Sequence, residues 1–166
     1  KPGYTMLTAD TSPARPEEFV RLFQEKCRPM QPKTTRLLPG VRALLEALKA
    51  AGVPMGIITS KRDSALQAVL EALGIRELFA ITISGDQVHA PKPDPAGLLR
   101  AMETLGVTGD EVLYCGDTVI DAETARRAGT HFAAVTTGVT PAAAFQDYPC
   151  GYVARDMVDM KAWLGL

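Results

Sequence analysis

The stretch that decides the fold is VLYCGDTVID, residues 112–121. Glu111–Cys115 is short and mostly apolar, which predicts a strand, and Gly116 allows a tight turn into a helix. Asp117 then stands at the carboxyl end of that strand, where open α/β sheets bind their ligands. Asp121 follows one helical turn later and can face the same crevice. Two carboxylates there suit Mg²⁺, although a helix cap followed by a solvated aspartate would give the same pattern.

The rest of the chain alternates strands with helices. Strands are predicted at 53–59, 79–84, 111–115, 131–136 and 151–154, and helices begin near residues 16, 41, 63, 94, 119 and 156, with a further short helix at 140–145. We expect residues 1–15 to be a loop and residues 29–39, with three prolines, to be a connector. Strands that alternate with helices in this way predict an α/β fold, a parallel sheet covered by helices on both faces.

Composition excludes several classes of function. The chain has 166 residues, 46% of them hydrophobic, and a net charge of −1 with no basic block, so no nucleic-acid partner is indicated. No run is long enough for a membrane span, and the first residues lack the apolar core of a signal peptide. Three widely spaced cysteines form no metal motif and favour a reducing, cytoplasmic location.

Two further strand ends carry polar residues. Thr59 and Ser60 follow an apolar strand, and a hydroxyl together with turn amides can hold a phosphate oxygen. Lys92 lies between Pro91 and Pro93, which stiffen the loop and lower the cost of ordering the ammonium against an anion. An ordinary helix-entry turn and a surface lysine are the alternatives. Phosphoryl chemistry requires a hydroxyl, a cation and a pair of carboxylates, and these strand ends offer all three.

Three segments in this order resemble the second, third and fourth motifs of the haloacid dehalogenase superfamily: Ile57–Ser60, Lys92–Pro95 and Gly116–Asp121. Their surroundings, Leu38–Val41 and Asp121–Gly129, resemble the phosphoglycolate-phosphatase-like branch of that superfamily. The resemblance implies a Rossmann-like core and a Mg²⁺-dependent phosphatase that works through an aspartyl-phosphate. It also implies a small phosphorylated metabolite as substrate.

The resemblance assigns a role to each candidate residue. Thr59 would hydrogen-bond the phosphoryl group, with the Ser60 backbone close by, and Lys92 would neutralise that group and the nucleophile. Asp117 would ligate Mg²⁺ directly. Asp121 would complete the metal site, through water or by holding Lys92. Thr59, Lys92 and Asp117 are therefore expected to line one pocket.

The family's first motif, a strand ending in DxDGT that carries the nucleophile and the general acid, has no counterpart here. The nearest stretch, Thr8–Ser12, offers only Asp10, at the place of the acid. We expect this motif and most of the helical cap to lie outside these residues, with 1–35 as the end of the cap and 36–166 as the core domain.

In the family, the strand that carries the first motif is central, between the strands that end at Thr59 and Asp117. A segment is expected to fill that position, because unpaired buried backbone groups cost about 1–3 kcal/mol each. The filler is expected to be an upstream strand; Tyr4–Thr8 is the less favoured choice.

Other functions remain open at this level. A haloacid dehalogenase-like domain that binds a phosphate or a partner without turnover would also lack the first motif. A dehalogenase needs no metal, so the Asp117 and Asp121 pair argues against it, and no GxGxxG fingerprint follows a strand to indicate a dinucleotide. The sequence indicates neither the substrate nor the oligomeric state.

Overall fold

The computed structural model describes residues 17, 18, 21, 22, 25 and 30–166 of the chain. The strands are β1 (Gly56–Ile58), β2 (Ile81–Ile83), β3 (Leu113–Gly116), β4 (His131–Val135) and β5 (Tyr152–Ala154). The helices of residues 30–166 are α1 (Gln31–Thr34), α2 (Val41–Ala50), α3 (Asp63–Ala72), α4 (Ala96–Leu105), α5 (Val119–Ala128) and α6 (Met157–Trp163). Short 3₁₀ turns lie at Arg76–Leu78, Gly109–Glu111 and Ala142–Phe145.

The strands form two parallel sheets. β1 pairs with β2, and β3, β4 and β5 pair in that order. Within the described part of the chain, β1 and β3 each pair on one side only, and no ladder joins them. The resemblance puts a further strand at this position.

Helices cover both faces of the strands, as predicted. On one face, α4 and α5 pack around a core that includes Leu98, Ala125 and Phe132. On the other, α2 and α6 pack on β4 and β5 through Leu44 and Met160, while α3 covers β1 with side chains that include Leu66 and Leu70. Four consecutive residues of β4, 132–135, are no more than 4% exposed. Such continuous burial is typical of a parallel strand between two helical layers.

Three differences from the sequence prediction have local causes. The first strand begins at Gly56 rather than Val53, because the Val53 amide donates to Leu48 O at the end of α2 and Pro54 has no amide hydrogen to donate. The predicted connector contains α1, in which the Thr34 hydroxyl donates to Met30 O. The third strand is shifted to Leu113–Gly116, because the Glu111 and Val112 amides donate to Thr108 O and Gly109 O in the preceding 3₁₀ turn. The remaining strands lie within their predicted ranges.

Part of the N-terminal prediction lies outside the described residues. Glu17, Glu18, Arg21, Leu22 and Glu25 are helical, as predicted for 16–27. The expected loop 1–15, with Tyr4–Thr8 and Thr8–Ser12, lies outside the described part. No helix among the described residues combines the length and apolarity needed to cross a membrane.

Candidate active site

The predicted site residues lie at the carboxyl ends of parallel strands. Thr59 directly follows β1, and its amide continues the ladder by donating to Ile83 O at 2.9 Å. Asp117 directly follows β3, and Asp121 lies in the first turn of α5. Lys92 lies in the loop between β2 and α4. Because parallel strands point the same way, their ends share one edge, where α/β proteins bind ligands.

The half-buried Lys92 and the buried Asp121 form an ion pair. The Lys92 ammonium donates to Oδ1 of Asp121 at 2.6 Å, and the two side chains are 20% and 7% exposed. The hydroxyl of Tyr114, which sequence reasoning missed, lies 3.4 Å from both the ammonium and Oδ1. A tyrosine in an otherwise apolar strand was the available signal, because a buried hydroxyl needs a partner.

The second oxygen of Asp121 is committed to Thr118. The Thr118 hydroxyl donates to Oδ2 at 2.6 Å and its amide donates to Oδ2 at 3.2 Å, while the Asp121 amide donates back to the Thr118 hydroxyl at 3.3 Å. This is a capping box at the start of α5. Burial raises the pKa of Asp121, but the hydrogen bonds from Lys92 and Thr118 lower that pKa below its usual value. The carboxylate is therefore charged and fixed.

Thr59, Ser60 and Lys92 line one small cavity, together with residues that include Ser84, Gly85 and Asp94. The Thr59 hydroxyl oxygen accepts a hydrogen bond from the Lys61 amide at 3.2 Å, so its own hydrogen remains available to an incoming ligand. The cavity is thus lined by a threonine, a helix-entry turn and a lysine, residues whose donor groups suit an anion.

The turn after β2 forms one wall of this cavity and is held in place by hydrogen bonds. Ser84, which is fully buried, donates to Oδ1 of Asp86 at 2.7 Å, and the Asp63 amide at the start of α3 donates to the same oxygen at 2.9 Å. The pKa of Asp86 is lowered mainly by the Ser84 hydroxyl. A Cβ on Gly85 would lie 2.7 Å from Ser60 O, so the two turns touch. These contacts fix the Thr59–Ser60 turn, and sequence spacing alone did not predict them.

The surroundings of Asp117 differ from those of the other candidate residues. Its carboxylate lies against Gly138, in the loop after β4, where a Cβ would be 3.0 Å from the Asp117 Cγ. Among the described residues, no hydrogen bond or ion pair engages this carboxylate, and Asp117 does not line the cavity of Thr59 and Lys92. Thr59 and Lys92 line this cavity, and a single site that they share with Asp117 stays a prediction.

The donor set fits Mg²⁺ in part. Asp117 offers a hard oxygen with no described partner at a strand end, which suits this ion. Both oxygens of Asp121 are already engaged. No cluster of three or more histidine, cysteine, aspartate or glutamate side chains occurs in the described part of the chain. A complete site would therefore take further oxygens from a neighbouring segment, the substrate or water.

Curated relatives carry phosphatase names. The chain is 33% identical over 158 residues to N-acetylmuramic acid 6-phosphate phosphatase of Pseudomonas aeruginosa, covering 95% of this chain and 66% of that protein. It is 35% identical over 129 residues to phosphoglycolate phosphatase of Rhodospirillum rubrum, covering 76% and 52%. The chain therefore spans about half to two thirds of the length of these relatives.

Solved structures share the fold. A Bacteroides fragilis protein described as a haloacid dehalogenase-like hydrolase matches with a TM-score of 0.86 and 34% identity, covering 95% of this chain and 75% of that one. A haloacid dehalogenase-like family hydrolase from Streptococcus pneumoniae matches with a TM-score of 0.81 at 23% identity, covering 95% and 74%. The model of the haloacid dehalogenase-like hydrolase family matches residues 5–135. This chain therefore belongs to the haloacid dehalogenase-like hydrolase family.

Proposed function

We propose that this chain is the core of a Mg²⁺-dependent phosphatase that acts on small phosphomonoesters through an aspartyl-phosphate, in the cytoplasm. The observation that carries the proposal is the position of Lys92. Its ammonium is paired with Asp121, and Lys92 lines the same cavity as Thr59 and Ser60. A fixed cation beside a hydroxyl and a helix-entry turn is suited to a phosphoryl group.

The cavity supplies the phosphate site. Thr59 donates its hydroxyl hydrogen to one phosphoryl oxygen, and the turn amide of Ser60 lies beside it. Lys92 neutralises the phosphate charge without needing to be ordered at each turnover, because Asp121 already holds its ammonium at 2.6 Å. Asp121 is thus a positioning residue that acts through Lys92, and any contact of Asp121 with a metal ion would pass through water.

Asp117 would hold the metal ion. Its carboxylate has no described partner, unlike that of Asp121, and it stands directly after β3. When bound, Mg²⁺ polarises a phosphoryl oxygen and offsets the charge that develops in the transition state. The other ligands would come from the nucleophilic carboxylate, the phosphate and water.

The nucleophile would come from a strand inserted between β1 and β3. Both strands present one edge that no described residue pairs. A strand there would end between Thr59 and Asp117 at the carboxyl edge, which is where a nucleophile must stand to reach a phosphate bound by Thr59 and Lys92. The edges support an additional strand, and the resemblance to the family supports a DxDGT sequence on it.

The proposed reaction has two steps, transfer of the phosphoryl group to the carboxylate and hydrolysis of the acyl phosphate. A carboxylate oxygen of the nucleophile attacks phosphorus, the bond from phosphorus to the ester oxygen breaks, and a general acid protonates the departing alcohol. Water next gives a proton to the deprotonated acid and attacks the phosphorus of the acyl phosphate, which releases inorganic phosphate and regenerates both the carboxylate and the acid. Lys92 stabilises negative charge in both steps because it stays beside the phosphoryl group throughout.

The two relatives named above act, by their names, on chemically different phosphomonoesters, an amino-sugar 6-phosphate and phosphoglycolate. Because relatives with these names match the chain about equally well, we propose the phosphomonoester class and no single substrate. The alternative is a domain that binds phosphate without turnover. It is favoured by one observation, that no carboxylate cluster surrounds Asp117 among the described residues.

One experiment distinguishes a phosphatase from a domain that only binds phosphate. The full-length protein is assayed for phosphate release from p-nitrophenyl phosphate and a panel of sugar and hydroxy-acid phosphates with Mg²⁺. Lys92→Ala is compared with Lys49→Ala, which removes an exposed lysine at the end of α2. We expect turnover that Lys92→Ala lowers at least about 100-fold and Lys49→Ala leaves intact. Phosphate binding without turnover would favour the binding domain.

A further inference from the structure

The loop after β4 touches the carboxylate that we assign to the metal. A Cβ added to Gly138 would overlap Oδ2 of Asp117 and would lie 3.0 Å from its Cγ and 3.3 Å from its Cβ. The three atoms nearest to that position all belong to Asp117. Gly138 therefore leaves open the space that this carboxylate occupies.

A substitution at Gly138 would displace a side chain and leave the backbone in place. At Gly109 the nearest atoms to an added Cβ are backbone atoms of Gly129 and Thr130, so substitution there would strain the fold itself. At Gly138 the obstacle is the end of the Asp117 side chain, which can turn about its own torsions. No described hydrogen bond or ion pair resists that turn, whereas Asp121 is held by Lys92 and Thr118.

We propose that Gly138 is a positioning residue for the metal site, and that it sets the direction in which the Asp117 carboxylate points. The inference rests on the proposed role of Asp117 as a Mg²⁺ ligand. Any side chain at position 138 would push the carboxylate out of its place while leaving the sheet, the Lys92–Asp121 pair and the phosphate cavity intact. The surroundings of a ligand typically contribute 10–100-fold to metal affinity.

The test is Gly138→Ala in the full-length protein, with Mg²⁺ affinity measured by calorimetry. Gly151→Ala is the matched control, because an added Cβ there meets only Phe132 O at an ordinary 3.6 Å. We expect Gly138→Ala to weaken Mg²⁺ binding about tenfold or more. The melting temperature should stay within about 4 °C of the parent, and the affinity for inorganic phosphate without metal should not change. Gly151→Ala should bind Mg²⁺ like the parent.

A parallel Asp117→Asn variant separates this inference from the proposed function. If Asp117→Asn weakens Mg²⁺ binding and Gly138→Ala does not, the inference about Gly138 is wrong while the metal assignment stands. If neither weakens it, the metal assignment fails. If Gly138→Ala is unstable, the double variant Asp117→Ala/Gly138→Ala decides. Stability restored to that of Asp117→Ala supports the overlap with Asp117, and continued instability overturns it.

Discussion

The ammonium of Lys92 lies 2.6 Å from Oδ1 of Asp121, although the two residues are 29 positions apart in the chain. One comes from the loop after β2 and the other from the first turn of α5. The pair therefore ties the β1–β2 sheet to the β3–β4–β5 sheet, which no strand pairing joins among the described residues. We therefore expect it to have a structural role as well as the role in positioning Lys92 proposed above.

Removing one member of this pair should destabilise the fold. Asp121→Asn leaves the half-buried Lys92 ammonium without its counter-charge, and Lys92→Met leaves the buried carboxylate without its cation. Breaking a buried pair from one side costs about 3–5 kcal/mol. We expect urea unfolding of either variant to show a loss in this range, with Lys49→Met as the exposed control. A loss no larger than that of the control would show that the pair does not join the sheets.

The contribution of the pair should depend on pH. Because the pKa of Asp121 is lowered in the folded state, its stabilising effect is fully present above the pKa of an unfolded aspartate, about 3.9. It is lost as the pH falls below that value and through the folded pKa. The difference in unfolding free energy between the parent and Asp121→Asn should therefore be constant from pH 7 to about pH 5 and shrink below about pH 4. A difference that does not change in acid would contradict this.

Tyr114→Phe should have a smaller effect. The hydroxyl lies 3.4 Å from both Lys92 and Asp121, near the long limit for a hydrogen bond, and burial together with the charge of Asp121 raises the pKa of Tyr114. Losing the hydroxyl should cost about 0.5–1.5 kcal/mol of stability and lower kcat more than it raises KM, because the Lys92 ammonium is less well fixed. An unchanged kcat would show that Asp121 alone positions Lys92.

The metal assignment predicts a difference between two aspartates close together in the chain. Asp117→Asn removes the proposed ligand, while Asp110→Asn changes an exposed residue in the 3₁₀ turn before β3. In calorimetric titrations of the full-length protein, we expect Asp117→Asn to weaken Mg²⁺ binding at least about tenfold and Asp110→Asn to leave it unchanged. Equal Mg²⁺ affinities in the two variants would remove Asp117 from the metal site.

Much of the fold could be predicted because helix caps, terminating glycines and the pattern of apolar residues indicate the same helices and strands. α5 begins at residue 119, as predicted, after the capping residue Thr118, and it ends before Gly129, whose positive φ of 69° terminates the helix. Strand ends were less predictable, since they depend on which amides find a partner. Val53 was assigned to a strand but its amide caps α2 instead.

Candidate site residues could be predicted from the sequence only where they lie in short motifs. Thr59, Lys92 and Asp121 were identified from the sequence, and the structure links them through the cavity and the ion pair. The contact of Gly138 with Asp117 was not identified, because it depends on how closely two loops approach after separate strands. No spacing rule encodes such an approach.

The proposed phosphatase depends on a strand between β1 and β3 that carries the nucleophilic carboxylate. The most direct measurement is to trap the phosphorylated protein during turnover, reduce the acyl phosphate with borohydride and locate the modified residue by mass spectrometry. We predict a single modified aspartate, in a DxDGT sequence outside residues 30–166. A modified residue within 30–166, modification of Asp10, or turnover with no phosphorylated protein would contradict the account.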